Sequence, residues 1–201
     1  MTTQEKNGIT EGVIWKQLLI FFFPILVGSF FQQLYNTVDS VIVGQFVGKE
    51  ALSSVGGSAG QIISLVVGFF TGVSTGATVI ISQYFGAGKK EEIEESLHTA
   101  YAFALVGGLV LGIAGIVFAP QMLRWMNTPE ELIAESVLYV RVYFSGLIFI
   151  FIYNMGAAIL RAVGDSKRPL YYLIVCSVVN IILDLLLILV IPLGVLGAAI
   201  A

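Results

Sequence analysis

The chain divides into long apolar stretches separated by short polar segments. The apolar stretches cover about residues 15–43, 52–84, 97–118, 133–160 and 170–191, and another begins at 194 and runs to 201. About 20 apolar residues are needed to cross a bilayer as a helix. Each of the first five stretches meets that length, whereas the last is read as the start of a sixth span cut short. Pro24 falls inside the first stretch, where it removes one helical hydrogen bond and predicts a kink or hinge. Residues 1–14 are a polar arm with Ile9, Val13 and Ile14 spaced as a short amphipathic entry on the cytoplasmic side.

Polar residues inside the apolar stretches carry the most information. Gln32, Asn36 and Asp39 stand at i, i+4 and i+7, one face of a helix. Ser177, Asn180 and Asp184 form a second such face at i, i+3 and i+7. An ionised Asp at the centre of a membrane helix costs about 2.5–3.5 kcal/mol on insertion scales, so it needs polar partners or a water-filled cavity. Of the 13 acidic residues, only Asp39 and Asp184 lie well inside apolar stretches. The two faces are expected to meet. Asp39, Asp184, Asn180 and Asn36 then form a proton or cation site, with Tyr35, Gln33 and Ser177 as neighbouring candidates. Carboxylate and amide oxygens at Asp39, Asn180 and Asp184 suit Na⁺, and two close carboxylates equally suit a shared proton. The bland alternative is a structural hydrogen-bond network joining the first and fifth stretches.

Composition agrees with a membrane chain. The 201 residues are 57 % hydrophobic and 11 % charged, against about 25 % charged in soluble domains. Mean hydropathy is +0.94. Gly68, Gly72 and Gly76, like Gly108, Gly112 and Gly115, read as small-residue rows for close helix packing. Cys176 is the single cysteine, so no internal disulfide is expected. The segment GAGKKEEIEE (residues 86–95) lacks the spacing and the Ser/Thr of a phosphate loop and reads as a solvated connection. No cofactor and no nucleic-acid partner is expected. Arg141 is read as snorkelling or pairing with an acid, and His98 as interfacial. Lys6, Lys16, Lys89, Lys90, Arg161, Lys167 and Arg168 fall on the side of the N-terminus, and only Lys49 and Arg124 on the other. That asymmetry places the N-terminus in the cytoplasm of a plasma-membrane protein.

Four stretches together resemble the N-terminal lobe of the multidrug and toxic compound extrusion (MATE) transporters: FFFPILVGSFFQQLYNTVDSVIVG (21–44), GVSTGATVIISQYFGAGKKEE (72–92), ILRAVGDSKRPL (159–170) and NIILDLLLI (180–188). The resemblance implies an all-α integral membrane fold of twelve helices in two lobes, of which this chain holds five full spans and the start of a sixth. It implies antiport of drugs and other amphipathic organic compounds, driven by H⁺ or Na⁺ through alternating access, with the lipid bilayer, a small organic substrate and a C-terminal lobe as partners. Asp39, Asn180 and Asp184 match the family's N-lobe cation residues, and Pro24 its kinking proline. The alternatives are a lipid-linked oligosaccharide flippase of the same superfamily and a truncated membrane protein that does not transport. An intramembrane aspartyl protease fits poorly, because Asp39 follows Val38 and Asp184 follows Ile-Ile-Leu rather than the Tyr-Asp and Gly-x-Gly-Asp of those enzymes. The protein is therefore read as a transporter and not an enzyme.

Overall fold

A computed structural model describes residues 13–201, and apart from Val13 and Ile14 the expected amphipathic arm lies outside them. Eight α-helices follow one another, with no strand among the described residues. Helix α1 (Ile14–Ile42) runs on as a π-helical segment, Val43–Val47. Helices α2 (Lys49–Gly56) and α3 (Ser58–Gly86) form the next rod, and α4 (Lys90–Trp125) the third. Helices α5 (Glu130–Ser145) and α6 (Leu147–Ala162) are the halves of a bent pair. Helix α7 (Lys167–Asp184) continues as a second π segment, Leu185–Val190, before the short α8 (Val195–Ile200). Four of these rods are long and apolar enough to cross a membrane, or five with the bent pair counted as one.

The helices run further than the apolar blocks suggest. The expected polar turn at 44–50 is helical to Val47 and broken only at Gly48, whose φ of 124° is open to glycine but not to L-residues with side chains. The expected loop at 86–95 is helical from Lys90 onward. There Lys89 pairs with Glu92 at 3.0 Å. The Glu92 carboxyl is held below the ordinary glutamate value, first by backbone N–H groups at the helix start and then by Lys89. Pro120, between the third and fourth apolar stretches, sits inside α4, because the apolar run continues through Met122, Leu123 and Trp125.

The fourth apolar stretch is the clearest departure from a straight rod. Helices α5 and α6 meet at Gly146 with a bend of 50°. Each half has 16 residues, which spans about 24 Å, too short to cross alone. The bend lets both halves pack on α4 through its glycine row. A methyl group at Gly108 would meet the Ile148 Cα at 2.9 Å, and one at Gly112 the Phe144 carbonyl at 3.0 Å; one at Gly115 would overlap the Phe144 ring. Here small residues do set helix proximity. Gly68, Gly72 and Gly76 on α3 do not behave this way. Each has open space within 4 Å of where a Cβ would stand, so the packing expected of that row is not made within the described residues.

The core is filled from α3, α4, α5 and α6. Phe70 stacks on Phe151 with ring centroids 3.3 Å apart and a 14° tilt. Leu123, Val140, Leu147 and Met155 are fully buried around them. Outward positions such as Leu65, Phe149 and Val190 are more than 70 % exposed and apolar, as a lipid-facing surface requires. Arg141 pairs with no acid among the described residues; its Nε donates to the Ile116 carbonyl at 3.1 Å, tying α5 to α4. Asp165 accepts from the backbone N–H groups of Lys167 and Arg168, both at 3.1 Å, and so caps the start of α7.

Candidate functional site

Helices α1 and α7 pack side by side along their length. Their contact brings Asp39, near the end of α1, against Asp184, the last residue of α7. The two carboxyl groups interact directly. Asp184 is completely buried and Asp39 partly so. Asn180, one turn before Asp184, completes the cluster.

The cluster is distinguished by what it lacks. Asp39 Oδ1, Asn180 Oδ1 and both Asp184 carboxylate oxygens are shielded from solvent and, apart from the contact of the two carboxyl groups with each other, accept no hydrogen bond from the described residues. Unpaired buried oxygens carry a large desolvation cost. Two carboxylates in one dry site also repel each other unless something positive lies between them. A proton shared by the pair, or a monovalent cation held by carboxylate and amide oxygens, removes both problems. The donor set fits such an ion: all oxygen, hard, and with charge to spare. Among the described residues no group of three or more His, Cys, Asp or Glu converges, so the acids and amide form no multi-acid metal cage.

The other sequence candidates are placed differently. Tyr35 is half-buried, one turn before Asp39, and its hydroxyl meets the Gln32 side chain. Asn36 and Gln33 lie on the exposed side of α1 and add no buried oxygen, because no described helix covers that side. Ser177 is buried, but its hydroxyl donates to the Leu173 carbonyl at 2.7 Å within its own helix, which leaves only lone pairs toward the site. Pro24 is buried within α1, about four helical turns before Asp39.

Two features lie outside the residues that the sequence singles out. Tyr139 on α5 is 9 % exposed and feels the charges of both Asp39 and Asp184, as well as Tyr35 and Tyr143. Its signal was present but faint: Ser136, Tyr139 and Tyr143 share a face at i, i+3 and i+7. The second feature is the winding beyond the acids. The segment Val43–Val47 begins one turn after Asp39, and Leu185–Val190 begins immediately after Asp184. The two π segments touch each other and α8. Such wide turns recur at functional sites, where they set side chains at angles an α-helix cannot.

An all-helical membrane lobe folded round an intramembrane pair of carboxylates is the class of protein these observations define. The chain belongs to the MatE family, whose model matches residues 24–186. It is 33 % identical over 183 residues to the probable multidrug resistance protein YoeA of Bacillus subtilis (strain 168), covering 91 % of this chain and 39 % of that protein. It is 35 % identical over 193 residues to the probable multidrug resistance protein YpnP of the same organism, covering 94 % of this chain and 42 % of that one. Its fold superposes on an outward-facing multidrug resistance MATE family transporter of the MOP superfamily with a TM-score of 0.91. That match is 27 % identical and covers 99 % of this chain and 44 % of the other. The chain thus spans about two fifths of the length of the curated relatives it matches and forms one lobe of the MATE fold.

Proposed function

We propose that this lobe carries the ion-coupling centre of an antiporter that exports organic compounds, with Asp39 and Asp184 as the exchanging acids and Asn180 as their neutral ligand. The observation that supports the reading is the set of four buried, donorless oxygens on these three side chains. Loading with one H⁺ or Na⁺ takes the pair from two negative charges to one and screens their repulsion, and release restores it. A site whose internal energy changes that much on loading can bias the lobe between two arrangements. Tyr139 orients the pair, and Pro24 supplies compliance in α1. A second lobe gives this one a surface to rock against, and the N-terminus lies in the cytoplasm.

The test uses the full-length protein in everted membrane vesicles with ethidium as the reporter cargo. Asp39→Asn and Asp184→Asn are each expected to abolish driven export while leaving folded protein in the membrane, since Asn keeps the size and removes the exchangeable charge. Export that survives in both variants overturns the assignment. Imposing a pH gradient alone and then a Na⁺ gradient alone identifies the coupling ion.

A further inference from the structure

Helices α1, α3 and α6 border a half-open cavity whose lining includes none of Asp39, Asn180 and Asp184. It measures about 210 Å³ and is lined by Phe21, Thr71, Ser74, Thr75, Thr78, Asn154, Ala158 and Arg161. Among the described residues no acidic side chain lines it. Arg161 stands in the last turn of α6, half-buried, and makes no ion pair among the described residues. The acid nearest in sequence, Asp165, is engaged elsewhere: its Oδ2 lies 3.1 Å from Arg168 Nε, and its Oδ1 takes two backbone N–H groups.

Arg161 gives the described wall its one charge, and the hydrogen bonds of the other side chains show which donors stay open. Thr71, Thr75 and Thr78 each donate their hydroxyl proton to a carbonyl one turn back in α3, at 2.9, 2.8 and 2.9 Å. Asn154 gives one amide hydrogen to the Ile150 carbonyl at 2.9 Å and keeps the other. Ser74 is 4 % exposed, and its Oγ has no hydrogen-bond partner among the described residues. A buried hydroxyl without a partner is rare enough in folded proteins to call for one. The free donors are therefore the Arg161 guanidinium, the Ser74 hydroxyl and one Asn154 N–H, all on one cavity. Phe21 and Ala158 supply an apolar wall.

We infer that this cavity binds an oxyanion, a carboxylate or phosphate group carried on a small apolar body, with Arg161 as the charge partner and Ser74 and Asn154 as hydrogen-bond donors. Guanidinium offers paired N–H groups that match carboxylate and phosphate geometry, and the half-buried setting strengthens that match relative to water. The site is independent of the acid pair, so either can fail without the other.

The test is calorimetric titration of the full-length protein in phosphatidylcholine nanodiscs with benzoate, inorganic phosphate and neutral benzamide. Saturable binding of benzoate or phosphate is expected, with none for benzamide. Arg161→Gln should weaken it at least about tenfold and Ser74→Ala about threefold, as lost charged and neutral hydrogen bonds do. Arg141→Gln, on the far side of α5, should match the wild type. Benzoate binding identifies carboxylates as the occupants and phosphate binding alone identifies phosphate esters. Binding lost in phosphatidylglycerol nanodiscs and present in phosphatidylcholine identifies a lipid headgroup as the competing occupant. Absence of anion binding in both lipids overturns the inference, as does unchanged affinity in Arg161→Gln. Should that variant not fold, undiminished affinity in both Ser74→Ala and Asn154→Ala overturns it instead.

Discussion

Tyr139 is the residue on which the candidate site can be most finely probed. Its ring is packed into the core, and its hydroxyl lies in the field of both carboxylates. Tyr139→Phe keeps the packing and removes only the oxygen. Export is expected to fall about three- to tenfold, the effect of losing about 1 kcal/mol of interaction between the hydroxyl dipole and the carboxylates, with the yield of folded protein unchanged. The readout that separates positioning from bulk structure is the ion concentration giving half-maximal ethidium export, which should move; an unaltered ion dependence would count against Tyr139 as a partner of the pair. Asp39 and Asp184 could be read from the sequence because a charge in an apolar stretch is expensive and therefore rare. Tyr139 could not, because tyrosine is at home in membrane helices for many reasons and its meaning comes only from what α5 is packed against. Arg161 was hidden in the same way. It looked like one more loop-end base, while Arg141, deeper in its stretch, drew the attention and proved to be tied to a backbone carbonyl.

At the level of helices, glycine rows of the same appearance have different consequences. The α4 row is closed against Phe144 and Ile148, and the α3 row is open. Gly115→Ala is expected to destabilise the protein by about 1–3 kcal/mol, because the added methyl overpacks a filled interior. Gly72→Ala in this 201-residue chain should change stability by no more than about 1 kcal/mol, in the stabilising direction, because alanine is the better helix former. Thermal unfolding in detergent distinguishes the two, and equal shifts would show that the α4 contact is not as tight as described. Hydropathy located every long helix here, since burial in lipid demands an apolar run. It did not separate the two rows, because small-residue spacing is the same whether or not a neighbour is present. Nor did it show the bend at Gly146 or the π windings after the acids, which are settled by packing between α4, α5 and α8 rather than by local composition.

For the molecule as a whole, the distribution of basic residues gives a direct test of how the lobe sits. With Cys176 replaced by Ala, Lys49→Cys and Lys90→Cys flank the α2–α3 rod, Lys49 as its first residue and Lys90 as the first of α4. A membrane-impermeant maleimide added to intact cells should label Lys49→Cys and spare Lys90→Cys, as the excess of basic residues on the N-terminal side requires. The reverse pattern would turn the lobe over and with it the side from which the acid pair is loaded. The open row on α3 matters at this scale as well. Gly68, Gly72 and Gly76 present bare backbone along more than two turns of helix. A strip without side chains has no rotamers to freeze, so a surface settling on it loses little side-chain entropy there. It also has no ridges, so that surface meets no steric steps as it shifts lengthwise. Contact along the strip is cheap to make and cheap to move, as a sliding bearing is.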